Sequence, residues 1–439
     1  MIQTKPPVPA KRPIRHLRWW IALVLFAMSF NNYIDRQTLA ALAPTLKEHF
    51  SWTNEDYAFV VNAFQVSYTI MQMIAGRLLD VVGTRGGVGF SVAFYTVISA
   101  CTALAAGARS FAVLRCLLGA GEAANNPGGS KAVSEWFPPR ERAFAVAIFN
   151  SGCPLGAAVA PFIALGIYRY TGQWQSAFLM AAFIGVLWLI AWWWLYESPE
   201  KHPRLSPEEA KLIAAGRTQP ETVSGAPAAA KAGWSVLLRY RQTWGLMLGR
   251  FLLDPFWYFV AYWFALYLKE RGFSMSQSTL GMAAPMLSAG LGNFFAGGIS
   301  SWLVHRGWQP GAARRIVLMV FGPSMAVVAL ALLTDSYILL LLIFAYSTFA
   351  YNCCGTMFLT LPTDVFHSRA VGTVMGLAGA SAGVGTLITT YLIGRISTGY
   401  SFTPIVIAAA IIPAVAAMVF VTMVRAPKKP DGRGVLLKF

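Results

Sequence analysis

The chain has 439 residues, of which 56% are hydrophobic and 12% are charged, and its mean hydropathy is +0.54. Soluble domains carry about 25% charged residues, so a soluble chain of this composition would expose too much apolar surface to water. An integral membrane protein is therefore predicted. The net charge of +17 would suggest nucleic-acid binding in a soluble protein, but Lys and Arg also collect on the cytoplasmic side of membrane proteins.

Spans of about 20 mostly apolar residues are needed to cross a bilayer. On this scale the sequence predicts twelve membrane helices, and long runs without alternation favour helices over a β-barrel. They cover approximately 18–43, 55–79, 86–107, 110–134, 143–167, 174–196, 242–267, 276–303, 312–333, 336–361, 370–394 and 402–424. The first apolar run continues past Asp35 without a clear cleavage site, so we expect a retained span and not a signal peptide.

One extended polar segment separates the sixth and seventh spans. Together with the spans, this segment predicts five parts of the chain. They are an N-terminal tail (1–17), a six-helix bundle (18–196), a cytoplasmic linker (197–240), a second six-helix bundle (241–424) and a C-terminal tail (425–439). Within the linker, Ser206-Pro207-Glu208-Glu209 has the form of a capping box and predicts a short helix.

The two halves share a short repeated pattern. Glu135, Phe137, Arg140 and Gly156 recur as Asp364, Phe366, Arg369 and Gly385 at a constant offset of 229 residues. Parallel repeats of six spans are typical of transporters whose substrate site lies near the midplane between the halves.

The distribution of basic residues predicts the orientation. The tails and the loops after even-numbered spans hold 26 of the 35 Lys and Arg residues, whereas the opposite side holds six. This is a strong positive-inside signal, which predicts that both termini are cytoplasmic and removes the argument for nucleic acid.

Six ionisable residues remain inside the predicted spans, where an unpaired charge costs a few kcal/mol. They are Asp35, Arg36, Arg115, Glu122, Arg250 and Asp254. Asp35 and Arg36 follow a polar patch and would line a cavity, unless the first span ends before them. Arg115 and Glu122 are seven residues apart on one helix face. They are expected either to have a functional role in the membrane interior or to form a structural ion pair. For Arg250 and Asp254 the i, i+4 spacing favours a structural ion pair.

Uncharged polar residues add candidate cavity walls. Asn62, Gln65, Tyr68 and Gln72 form a polar stripe on the second span, which is either a wet wall or a hydrogen-bond ladder between helices. Further candidates for substrate contact are Tyr33, Asn125, Asn126, Trp257, Tyr258, Thr356, Thr360 and Ser381, with Thr386 as a milder version of the same signal. Asp80 and Arg85, in the loop after the second span, are candidates for a conformational latch or for solvated loop charges.

Several segments resemble the major facilitator superfamily. GRLLDVVGTR resembles its loop signature between spans two and three, although Val81 replaces the usual basic residue. NNYIDRQTLAALAPTL, LRCLLGAGEAANNPGGSKAVSEWFPPRERAFAVAIFNSG, GRFLLDPFW and LPTDVFHSRAVGTVMGLAGASAG resemble the anion:cation symporters, particularly bacterial hexuronate porters and, more distantly, galactonate porters.

The resemblance implies an all-α major facilitator fold of two pseudo-symmetric bundles and proton-coupled uptake of a sugar acid across the bacterial inner membrane. By motif position, Asp35 and Glu122 would carry protons, while Arg36, Arg115 and Tyr68 would bind substrate. The chain departs from the galactonate pattern at Gly379, Cys153 and Leu359, so the sugar contacts of the second half are expected to differ.

These observations predict an alternating-access symporter for a hexuronate, hexonate or aldarate, acting as a monomer in lipid with the proton as coupling ion. No metal, organic cofactor or enzymatic activity is expected, because the five histidines lie in tails or loops and the five cysteines lie in apolar stretches. The alternatives are a proton-coupled efflux antiporter for an organic compound and, less favoured, a membrane enzyme such as an acyltransferase.

Overall fold

The computed structural model describes residues 12–216, 234–273, 281, 283–399 and 402–425. The first half of the chain forms α1 (Leu17–Phe50), α2 (Asn54–Val82), α3 (Thr84–Thr102), α4 (Ala108–Glu122), α5 (Asn125–Trp136), α6 (Pro139–Thr171) and α7 (Gln175–Leu195). The linker contributes α8 (Pro207–Gly216) and α9 (Trp234–Leu237). The second half forms α10 (Arg241–Glu270), α11 (Ala283–His305), α12 (Pro310–Ser324), a 3-10 helix (Met325–Leu332), α13 (Tyr337–Val365), α14 (Ser368–Gly399) and α15 (Thr403–Met423).

Seven helical segments of the described residues are long and apolar enough to cross a membrane by length and composition alone. They are Glu55–Val82, Pro139–Thr171, Gln175–Leu195, Pro310–Leu332, Tyr337–Val365, Ser368–Ile393 and Thr403–Met423. The predicted fourth span is broken into α4 and α5, of 15 and 12 residues, so neither piece reaches that length. Near their middles, α1 and α10 carry the charged residues that the sequence singled out, which lowers their apolar content.

The linker helix is tied to the start of α1. Ser206 Oγ accepts a hydrogen bond from the Glu209 amide at 3.2 Å, so the predicted N-terminal cap of α8 is present. The Glu209 carboxylate in turn accepts from the amides of Leu17 and Arg18, at 3.0 and 3.1 Å. These amides are donors that the first turn of α1 cannot satisfy internally, so the linker caps the first membrane helix.

Two helix pairs hold the halves of the chain together: α2 packs against α14, and α6 packs against α11. Small residues allow the close approach. A Cβ atom on Gly76 of α2 would collide with the Gly372 carbonyl of α14, and one on Gly297 of α11 would touch Ala147 of α6. This packing brings the middles of α1, α2, α10 and α13 around a common space between the halves.

The halves are also bonded at one end of the bundle, which we call the basic end and define by the α2–α3 turn, the α5–α6 turn and the linker. Arg142 Nη1 donates to the Thr363 carbonyl at 2.6 Å and to Asp364 at 3.1 Å. Arg314, which is fully buried, donates to the Pro139 carbonyl at 2.6 Å. Because each bond joins one half to the other, the structure is closed at this end.

Candidate functional site

A central cavity lies between the two halves and is lined by both. From the first half the lining residues are Asn32, Tyr33, Arg36, Gln65, Tyr68, Gln72, Asn125, Asn126, Asn150, Cys153 and Pro154. From the second half they are Arg250, Asp254, Trp257, Tyr258, Tyr351, Asn352, Gly355, Phe358, Leu359, Gly379, Ala382 and Gly383. Amides, aromatic rings, two arginines and the Asp254 carboxylate thus share one surface, which is suited to a polar ligand with an anionic group.

Arg36 is the charged centre of the first-half wall. Its Nε donates to Glu122 at 2.7 Å, and the Glu122 side chain is completely buried. The Arg36 guanidinium lies over the ring of Tyr68 at 4.3 Å, and the rings of Phe64 and Tyr33 lie at 5.0 and 5.2 Å. Its buried Nη2 makes no hydrogen bond. The aromatic rings and Glu122 therefore fix the guanidinium while one donor is left for a ligand.

Asp35 and Arg115 lie behind this wall and not on it. Asp35, 2% exposed, accepts a hydrogen bond from Ser99, while Arg115, 3% exposed, lies over the Phe178 ring at 5.8 Å. The Arg115 guanidinium was expected to contact substrate, but it is absent from the cavity lining. On α4 it is Glu122 that contacts the cavity wall, because it pairs with Arg36 of α1. Arg115 lies two turns away from Glu122 along the same helix and so does not reach the lining.

A second arginine–carboxylate pair lies on the opposite wall. Arg250 donates to Asp254 from Nε, at 3.1 Å, and from Nη2, as the i, i+4 spacing on α10 allows. The Tyr351 hydroxyl donates to the other carboxylate oxygen at 3.2 Å. The Tyr351 ring is stacked on Trp257, with ring centroids 5.8 Å apart.

The polar stripe on α2 contributes most of its members to the cavity. Gln65, Tyr68 and Gln72 line it, as do Asn125 and Asn126 at the start of α5. The stripe is therefore a cavity wall over these positions. Its fourth member, Asn62, is absent from the lining.

The hydroxyl candidates of the second half take part in helix packing and not in the cavity wall. Thr356 donates to Asn293 at 2.9 Å, Thr360 donates to the Thr356 carbonyl at 2.6 Å, and Ser381 donates to the Met247 carbonyl at 2.9 Å. These three residues are absent from the lining, so they do not make the predicted contacts with a ligand in this cavity. Serine and threonine hydroxyls in helices commonly satisfy themselves on nearby carbonyls in this way.

Sequence reasoning missed several residues of the lining. Asn150, Tyr351, Asn352 and Phe358 all face the cavity. Asn150 also donates to Asn293 of α11 at 3.0 Å, across the interface between the halves. The isolated amides of Asn150 and Asn352 in otherwise apolar spans were the available signal, because a lone amide in lipid needs a partner or water.

The two predicted latch residues have different roles at the basic end. Asp80 accepts from Lys131 Nζ and from the Thr373 amide and hydroxyl, all at 2.6 Å. Because Thr373 belongs to α14, Asp80 joins the two halves. Arg85 instead pairs with Glu197, the first residue of the linker after α7, and donates to the Trp193 carbonyl at 3.1 Å. Asp80 and Arg85 are therefore not partners.

The helical architecture and the central cavity define a multi-pass membrane protein of transporter type. The chain belongs to the Major Facilitator Superfamily, whose family model matches residues 25–389. The predicted fold class and the resemblance to this superfamily are thereby confirmed.

Curated relatives cover nearly the whole chain. It is 33% identical to the hexuronate transporter of Escherichia coli K12 over 423 residues, which covers 94% of this chain and 95% of the relative. It is also 33% identical to the galacturonate transporter of Dickeya chrysanthemi over 360 residues, with coverage of 80% and 98%. Among solved structures, the proton:xylose symporter XylE bound to 6-bromo-6-deoxy-D-glucose matches with a TM-score of 0.73 at 15% identity, covering 93% of this chain and 96% of that chain. At that identity the match shows the fold alone.

Proposed function

We propose that the chain is a proton-coupled symporter that imports a sugar acid anion, with hexuronates such as galacturonate and glucuronate as the first candidates. The observation that carries the proposal is Arg36, a guanidinium on the cavity wall with an unused buried donor. The names of the relatives, hexuronate and galacturonate transporters, support the same substrate class.

The proposed coupling depends on the ion pair between Arg36 and Glu122. While Glu122 is ionised, it occupies the Nε edge of the guanidinium. Protonation of Glu122 removes that competing charge, so the guanidinium can bind the substrate carboxylate with two parallel N–H donors. A proton and an anion would then enter together, because each stabilises the binding of the other.

The remaining lining residues suit the rest of a sugar acid. The amides of Gln65, Asn125 and Asn126 can donate to and accept from sugar hydroxyls. The ring of Trp257 offers an apolar surface to the C–H groups of the sugar, and the Tyr68 hydroxyl can bond to a sugar hydroxyl. Asp35, one layer behind, is the second proposed proton carrier.

Alternating access follows from the latch at the basic end. The bonds of Thr373 to Asp80, which also pairs with Lys131, join the two halves at that end in this structure, and their release would open it as the halves rock around the cavity. The excess of basic residues supports an orientation in which the basic end and both termini face the cytoplasm across a bacterial inner membrane.

Titration calorimetry of galacturonate on the purified protein tests the substrate assignment. An Arg36→Lys variant keeps the charge but loses the planar fork, and we expect its affinity to fall about tenfold or more. Arg109→Lys is the matched control, because Arg109 is exposed at the start of α4 and remote from the lining. Wild-type affinity in Arg36→Lys would refute the role of Arg36. Binding of a lipophilic cation in place of any sugar acid would favour the efflux alternative.

A further inference from the structure

The second guanidinium on the cavity wall also has an unused donor. Arg250 Nη1 is buried and makes no hydrogen bond, as is true of Arg36 Nη2. The two arginines come from different halves, Arg36 from α1 and Arg250 from α10, and both line the same cavity.

The ion pair with Asp254 does not account for this donor. The pair uses Nε and Nη2 of Arg250, and Asp254 is held from its other oxygen by the Tyr351 hydroxyl. Tyr351 is itself held between aromatic rings, with Phe256 at 5.9 Å and Trp257 at 5.8 Å. Asp254 is thus anchored and fixes one edge of the guanidinium, while Nη1 is left without an acceptor on a residue that lines the cavity. A buried guanidinium donor without an acceptor is unfavourable, and an anionic oxygen of a ligand is the acceptor that stabilises it best.

We propose that Arg250 is a second anion-binding residue and that the cavity selects six-carbon sugar acids with a carboxylate at each end. This rests on the proposed function, in which Arg36 binds one carboxylate. The halves of the protein present the same arrangement to the ligand: an arginine held on one edge by a protein carboxylate, with one nitrogen unused. A dicarboxylate would satisfy both nitrogens at once and would connect the two halves through the ligand.

Galactarate and galactonate provide the test, because they differ at one terminal carbon, which is a carboxylate in the first and a hydroxymethyl group in the second. In titration calorimetry on the full-length protein we expect galactarate to bind about tenfold or more tightly than galactonate, the effect of one charge-assisted hydrogen bond. Arg250→Lys can keep the ion pair with Asp254, but its single ammonium nitrogen cannot also occupy the position of Nη1. The ratio of the two affinities should therefore fall towards one.

Two further variants keep the proposal testable. Arg36→Lys should weaken both ligands, since both carry the carboxylate assigned to Arg36. If Arg250→Lys does not fold, the double variant Arg250→Gln with Asp254→Asn removes both charges of the pair together, and it should abolish the same selectivity. Equal affinities in the wild-type protein, or a ratio that Arg250 substitutions leave unchanged, would overturn the role of Arg250 while leaving the proposed function intact. Failure of galactarate, galactonate and galacturonate all to bind would instead refute the proposed function itself.

Discussion

Replacement of Asp80 by asparagine is predicted to open the basic end. The Asp80 carboxylate accepts three hydrogen bonds of 2.6 Å, one from Lys131 and two from Thr373. The side chains of Asp80 and Lys131 are 1% and 4% exposed, so the ion pair is shielded from water. An asparagine of equal size removes the charge and leaves the Lys131 ammonium buried without a counter-charge.

The magnitude follows from this burial. Breaking a buried ion pair by removing one partner costs about 3–5 kcal/mol. Because Lys131 regains water when the halves separate, most of this cost falls on the closed state. The ratio of open to closed protein should then rise by at least about a hundredfold, since 1.4 kcal/mol corresponds to a factor of ten.

Cys153 supplies the assay, because its side chain lines the cavity. The other cysteines, Cys101, Cys116, Cys353 and Cys354, would be replaced, and a membrane-impermeant maleimide would be applied from either side of oriented vesicles. We expect the parent protein to react from the side opposite the basic end and Asp80→Asn to react at least about tenfold faster from the basic end.

Arg85→Gln is the matched control for this experiment. Arg85 lies at the same end but pairs with Glu197, directly after α7, and not with the second half, so its loss should leave the side from which Cys153 reacts unchanged. An Asp80→Asn protein with the parent labelling pattern would refute the reasoning, as would equal opening by Arg85→Gln.

Two other substitutions test separate parts of the account. Glu122→Gln removes the group that competes for Arg36, so the protein should lose accumulation driven by a pH gradient and retain exchange of substrate across the membrane; undiminished accumulation would exclude Glu122 as a proton carrier. Gly76→Ala places a Cβ atom against the Gly372 carbonyl and should lower the free energy of unfolding by about 1–3 kcal/mol, measured by thermal denaturation. Gly86→Ala is its control, because the new Cβ would lie at an ordinary 3.5 Å from Val82, and equal destabilisation would contradict the packing argument.

The charged residues of the site could be found from sequence, but their partners could not. Arg36 and Glu122 stand out because a charge within an apolar span is costly unless it is used or paired. Spacing rules apply only within one helix, which is why the i, i+4 relation of Arg250 and Asp254 was visible. The partners Arg36 and Glu122 are 86 residues apart on different helices, so only the tertiary fold brings them together.

Hydroxyl residues and the latch show the same limit. Thr356 and Thr360 look like polar cavity positions in sequence, yet a threonine can donate to a carbonyl of its own helix and remain in the packed interior. Asp80 was expected to form a conformational latch or to be a solvated loop charge. Its partners Lys131 and Thr373 are 51 and 293 residues away, so their identity depends on the docking of one half against the other.

Uptake of radiolabelled galacturonate by proteoliposomes is the direct test of proton-coupled import. We expect an inside-alkaline pH gradient to drive galacturonate above its external concentration, and a protonophore to abolish this accumulation. Uptake that merely equilibrates, at the same rate with and without the gradient, would contradict proton-coupled import through the Arg36 and Glu122 pair.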